Sequence, residues 1–240
     1  MAKRKKSNLT GPCIPALHFM HPEGFMQTIT FILRLLALLA CLTGLCLNMG
    51  VPQGRLHLTQ LNYYTILSNI LCLAFWGALL LGVRPSAAVR GAVAMSILLT
   101  MVVYHFMLAG SHAYVLEESF SYMRAANWLV HYITPTLMVL DFLLLGERES
   151  IGALAPVCWT VVPLCYLIFA LIRGLSGVPI GGMNSAYAYF FIDPAQGMIL
   201  KAPQGYAGVA LNSLLISVVY IAAGYGLRGV YGLLGTVLSR

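Results

Sequence analysis

The chain has 240 residues, 60% of them hydrophobic and only 9% charged, with a mean hydropathy of +0.84. This excludes a soluble globular domain, in which roughly a quarter of the residues carry charge. A net charge of +7 would suggest nucleic acid as the partner of a soluble protein. In so apolar a chain it reports membrane topology instead, and no nucleic-acid partner is expected.

Residues 1–24 hold the basic cluster Lys3, Arg4, Lys5 and Lys6, followed by Gly, Pro and His. A short apolar core and a small-residue cleavage site are missing there, so no cleavable signal peptide is expected. Six apolar stretches then approach the roughly 20 residues that a helix needs to cross a bilayer. They run about 25–47, 60–82, 91–109, 127–145, 151–172 and 207–227, the last two with generous boundaries. The runs are continuous and rich in Leu and Ala rather than alternating, which excludes a membrane β-barrel. The expected fold is therefore all-α, a single domain over 1–240 that forms a polytopic bundle of six transmembrane helices.

Charge placement orients that bundle. With the N-terminus inside, the inner segments carry Lys3, Arg4, Lys5, Lys6, Arg84, Arg90, Arg148, Arg228 and Arg240, against Arg55, Arg124, Arg173 and Lys201 outside. Both termini are expected in the cytoplasm of a multi-pass protein, in the inner or plasma membrane if the cell is prokaryotic. Residues 174–206 then form a long non-cytoplasmic loop rich in Gly, Pro and Tyr. Its Tyr187, Tyr189, Phe190 and Phe191 fit either an interfacial aromatic belt or a lid over the outer mouth. Cys13, Cys41, Cys46, Cys72, Cys158 and Cys165 lack metal-type spacing and read as buried small apolar residues.

Polar residues inside the spans are costly and therefore informative. In the second span Asn62, Thr65 and Asn69 step by three and four, with Ser68 beside them, so they share a helical stripe. In the fourth, Asn127, His131, Thr134, Met138 and Asp141 follow the same rule. Thr65 and His131 each lie about four residues inside the outer mouth, roughly 6 Å deep, and His105 lies near the outer end of the third span. Arg34, roughly 14 Å into the first span, and Asp141, near the inner end of the fourth, are expected to pair and neutralise each other structurally.

A threonine hydroxyl becomes a nucleophile when a base takes its proton, and a neutral imidazole is the usual base. Thr65 and His131 are the candidates for those roles. Attack on an ester creates an oxyanion, for which Asn62, Ser68, Asn69, Asn127 and His105 could supply or support donors. The same polar groups would also suit a transporter or small-molecule binding protein, or a noncatalytic scaffold in which they tie helices together. No metal and no cofactor is required, and no nucleotide- or flavin-binding signature is present.

Four segments in order carry a family resemblance: YYTILSN at 63–69, HYITPTLMVLDFLL at 131–144, LIRG at 171–174 and YFFIDP at 189–194. Together they resemble the androgen-induced-gene family of small multi-span membrane proteins, in its prokaryotic-type branch, over about residues 30 to 230. Members characterised as enzymes are membrane-embedded threonine hydrolases that cleave fatty-acid esters of hydroxy fatty acids. The resemblance implies that Thr65 is the threonine and His131 the histidine of that chemistry, with membrane lipids and a lipid ester as partners.

Overall fold

The computed structural model describes residues 22–109, 121–146, 148–180, 184–196 and 204–238. The basic cluster Lys3 to Lys6, Cys13, Lys201 and Arg240 lie outside the described residues, so the topology expected from those charges rests on the sequence. Every regular element among the described residues is helical. Helix α1 is Pro22–Asn48 and α2 is Tyr64–Leu80. Helix α3 runs Ala87–Val103 and continues as a π-helical turn, Tyr104–Leu108. Helix α4 comprises Ser121–Trp128, a second π-helical turn at Leu129–Ile133, and Thr134–Leu144. Helix α5 consists of a short turn, Ala155–Cys158, and the main segment Val161–Gly174, and α6 is Tyr206–Leu238.

Four of these are long and apolar enough to cross a membrane: Gly24–Asn48, Ala87–Leu108, Ala155–Gly174 and Tyr206–Val237. Helix α2 is apolar but shorter, at 17 residues. It starts later than expected because Leu58–Asn62 forms a 3-10 turn and Tyr63 is extended, with φ −93° and ψ 134°. Helix α6 outlasts the expected end near 227. Its Arg228 side chain does not stop the helix, because Nε donates to the Ile151 carbonyl at 2.9 Å and is thereby satisfied.

Local chemistry sets the helix ends. Gly82, at φ +88°, closes α2: its N–H bonds the Leu79 carbonyl while Val83 N–H reaches Ala78, the double hydrogen bond of a Schellman cap. Pro85 then prevents continuation, and the Ser86 hydroxyl accepts from Val89 N–H to open α3. A Glu149 carboxylate oxygen 2.7 Å from Ala87 N complements the same helix start.

Large apolar side chains cover the outside. Phe31, Ile32, Leu36 and Leu39 of α1 and Leu214, Val218, Val219 and Leu233 of α6 are all exposed. Such continuous patches far exceed what a water-soluble monomer shows, and they fit lipid as the surrounding medium. Lipid tails remove most hydrophobic drive for helix association, leaving close packing and polar ties to hold the bundle. Gly44 of α1 illustrates the packing, since a Cβ there would lie 2.8 Å from Leu129 Cβ. Gly91 of α3 likewise packs against the Trp159 ring, whose Cζ2 lies 2.4 Å from the position a Cβ would take. Of the described cysteines, Cys41 and Cys72 are buried, but Cys158 and Cys165 are exposed on α5 and correct the reading of a uniformly buried set.

Candidate functional site

Thr65 is the second residue of α2, and the extended Tyr63 before it shapes the helix start. The Tyr63 carbonyl accepts from both Ile66 N–H and Leu67 N–H, at 3.1 and 3.2 Å. Thr65 N–H donates instead to the Tyr189 hydroxyl, 3.4 Å away in the 175–205 loop. A loop tyrosine thus occupies the place of a helix N-cap. On the other side, Thr65 Oγ1 lies 3.3 Å from His131 Nε2.

His131 occupies the middle of the π turn of α4, where Thr134 N–H bonds the Leu129 carbonyl five residues back. Pro135 accounts for the turn, since it has no N–H for the His131 carbonyl and its ring clashes with that carbonyl in a regular helix. His131 Nδ1 is 3.1 Å from the Asn127 carbonyl, which can only accept. In the neutral imidazole Nδ1 therefore carries the proton, and the Nε2 lone pair faces the Thr65 hydroxyl. The Tyr104 ring stacks on the imidazole with centroids 3.8 Å apart and planes 19° from parallel. His131 is 4% exposed, so packing as well as hydrogen bonding holds the ring.

Asn69 is a clamp. Its Nδ2 donates to the Thr65 carbonyl at 2.8 Å and to the Val130 carbonyl at 3.0 Å, joining the backbone beside one candidate residue to that beside the other. Cys41 Sγ of α1 donates to the Asn69 carbonyl at 3.3 Å. Ser68 Oγ donates to the Thr65 carbonyl at 3.1 Å and shares a hydrogen with Thr100 Oγ1 at 2.7 Å. Both side chains hold the site rather than pointing donors into it.

The side chains of the remaining candidates do not reach the pair. Asn62 turns its amide to the Thr59 carbonyl, at 2.8 Å, and its own carbonyl accepts from Tyr166. Asn127 contributes its carbonyl to the site, whereas its buried Nδ2 has no partner among the described residues. His105 faces outward, exposed, with Nδ1 3.2 Å from the Tyr132 hydroxyl. Its neighbour Tyr104 is the residue α3 presents to His131. The sequence reading missed Tyr104 and assigned Tyr189 no role beyond belt or lid.

The loop aromatics do not form a belt facing outward. Tyr189 and Phe191 are buried and stack on each other, with centroids 5.2 Å apart, over Tyr64 and Tyr104. Asp193, itself buried, organises this fold-over. Its oxygens accept from Ser185 Oγ at 2.6 Å, Ala195 N–H at 2.8 Å and Gln196 Nε2 at 3.0 Å. Gly174 gives Tyr187 its place, since a Cβ there would lie 2.0 Å from Tyr187 Cε1. Arg173 reaches the carbonyls of Ala186 and Val178 to tie the loop back to α5. Under this cover Thr65 and Tyr189 border a partly open, mostly apolar cavity that extends to Thr160 and Tyr220.

Arg34 and Asp141 meet at the other end of the bundle. Nε and Nη2 of Arg34 each lie 3.0 Å from a different Asp141 oxygen, a bidentate pair. Trp76 Nε1–H adds a third donor at 3.0 Å, and Arg34 also bonds the Leu145 carbonyl. With Trp76 fully buried beside it, Asp141 sits in a packed, satisfied setting. Among the described residues, no group of His, Cys, Asp or Glu is placed to hold a metal ion.

Comparison with protein-family models, with curated proteins and with solved structures finds no match to this chain.

Proposed function

We propose that the chain is an intramembrane hydrolase of lipid esters, with Thr65 as nucleophile and His131 as its base. One observation carries this reading: a hydroxyl 3.3 Å from an imidazole nitrogen whose partner nitrogen is bound to a carbonyl. His131 Nε2 takes the Thr65 proton as Oγ1 bonds the ester carbonyl carbon. The proton then passes to the departing alkoxide, leaving an acyl-threonine and a free alcohol. A water, deprotonated by the same nitrogen, releases the acid and regenerates Thr65. Tyr189 accepts from Thr65 N–H through its oxygen, so its own O–H is available to the oxyanion, alongside the positive end of α2.

The motif resemblance supports fatty-acid esters of hydroxy fatty acids, or related lipid esters, as substrates. The proposal includes six spans, with α2 and α4 crossing beside the four longer helices, and both termini cytoplasmic. A transport path from His131 toward Asp141 receives less support, because the Asp141 carboxylate is already engaged by Arg34 and Trp76.

Labelling of the purified, detergent-solubilised protein with a fluorophosphonate probe tests the mechanism. Thr65→Ala should abolish labelling and ester cleavage while keeping the melting temperature, and Thr65→Ser should retain both activities. His131→Ala should lower labelling about 10²-fold or more, the usual value of a positioned base. Undiminished labelling of Thr65→Ala would remove threonine from the mechanism.

A further inference from the structure

Helices α5 and α6 meet at their base and part above it. The short turn Ala155–Cys158 carries most of the packing against α6, with Pro156 Cβ 3.1 Å from where a Cβ of Gly224 would stand. Above that contact the space between the main segment of α5 and α6 is the cavity that Thr65 and Tyr189 border. Leu164 and Leu167 line it from α5, Ile216 and Ser217 from α6, and α3 backs it with Leu99 and Val103. Its floor is Thr160 and Tyr220.

Four hydroxyls, at the floor of the cleft and along α6, are bonded within the protein. Thr160 donates to Val157 O at 2.6 Å, Ser213 to Val209 O at 2.8 Å, Ser217 to Ser213 O at 2.8 Å, and Tyr220 to Trp159 O at 3.2 Å. A polar ligand would find little here to replace its water, whereas a hydrocarbon loses nothing by entering. Leu164 of the lining is itself exposed, and the adjoining helix faces carry the exposed Ile168 on α5 and Leu214 and Val218 on α6, so the partly open slot borders the surface that fits lipid.

We infer that the cleft between α3, α5 and α6 binds a single fatty-acyl chain, entering from the side, with its carbonyl end at Thr65 and its tail toward Tyr220. The placement of the carbonyl rests on the hydrolase reading; occupancy by an acyl chain does not. The lining from Thr160 to Leu167, and from Ser213 to Tyr220, rises about 10 Å at ~1.5 Å per residue. Within that length each methylene gains packing contact with the cleft walls, and methylenes beyond it should add little.

Two measurements separate the claims. Thr65→Ala protein in lipid nanodiscs is photolabelled with a diazirine-bearing fatty acid, and the adducts are mapped by peptide mass spectrometry. Adducts on α5 around Leu164 to Leu167 and on α6 around Ile216 to Tyr220, displaced by excess palmitate, are expected. Ser217→Trp, and independently Leu164→Trp, should reduce them at least tenfold. Adducts spread over α1 and α6 alike and not displaced by palmitate would overturn the cleft.

Hydrolysis of p-nitrophenyl butyrate, octanoate and palmitate is then compared. Ser217→Trp should lower the octanoate-to-butyrate ratio of kcat/KM at least tenfold, and Tyr220→Ala should shift preference toward palmitate. Thr65-dependent hydrolysis with an unchanged chain-length profile in both variants would sink the cleft and leave the hydrolase standing. Displaceable photolabelling in the cleft without hydrolysis of any ester would sink the hydrolase and leave the cleft standing.

Discussion

Asp141 accepts from three protein donors and Arg34 spends its guanidinium on two acceptors, so each depends on the other for neutrality in a low-dielectric setting. Asp141→Leu alone strands a cation and the Trp76 indole N–H, and should cost about 3–5 kcal/mol, read as a lowered denaturation midpoint in detergent. The double variant Arg34→Met with Asp141→Leu removes both charges and should recover most of that loss. Failure of the double variant to recover would mean that the pair sets helix register as well as neutrality. At this scale the sequence was readable where a polar group interrupts an apolar run: Thr65, Asn69, His131 and Asp141 each stand out for that reason. Tyr104 did not, because an aromatic in an apolar helix is unremarkable until its ring is seen on the imidazole. His105 drew attention by its chemistry, yet neighbours on a helix point about 100° apart, and only Tyr104 turns inward.

Helical periodicity assumes one turn geometry throughout, and α4 departs from it at the candidate histidine. The π turn at Leu129–Ile133 inserts an extra residue into the turn, so the stripe Asn127, His131, Thr134 is not one straight face. The proline that signals this was visible in ITPT, but its effect on the upstream carbonyl is a property of three-dimensional hydrogen bonding. Pro135→Ala restores the missing donor and should let the turn tighten into regular helix, swinging His131 away from Thr65. The expected result is at least a tenfold loss of probe labelling with an unchanged or raised melting temperature. Lost labelling with a lowered melting temperature would indicate general damage instead. The 174–206 segment was legible as a long loop with aromatics, though the inward fold of residues 184–196 depends on Asp193 collecting donors from Ser185, Ala195 and Gln196, which spacing does not reveal.

For the whole molecule, composition established the class, and the exposed apolar faces of α1 and α6 agree with it. The number of crossings was less legible from length alone, since α2 is short and α4 is interrupted. A topology with α2 crossing puts Arg55 and Val83 on opposite sides of the membrane. In intact cells an impermeant maleimide should label Arg55→Cys, and should label Val83→Cys only after permeabilisation, with the wild type as the cysteine background. Labelling of both from the same side would remove α2 from the crossing helices.

Membrane thickness enters through the length of α2. Its 17 residues rise about 25 Å, several Å less than a typical ~30 Å hydrocarbon slab. In the proposed topology, with α2 crossing, the bilayer pinches inward beside Thr65 or leaves the hydroxyl recessed beneath the level where ester groups ride. Asn69 ties α2 to α4 next to both Thr65 and His131, so the hydroxyl-to-imidazole spacing is insulated from that mismatch while the approach of substrate is not. Hydrolysis in nanodiscs of short-tailed lipids should show a KM severalfold lower than in long-tailed ones at similar kcat, and a kcat that follows thickness instead would mean the clamp yields. On the proposed hydrolase reading, the bilayer itself acts as a rheostat on ester cleavage, set by a helix about one turn too short.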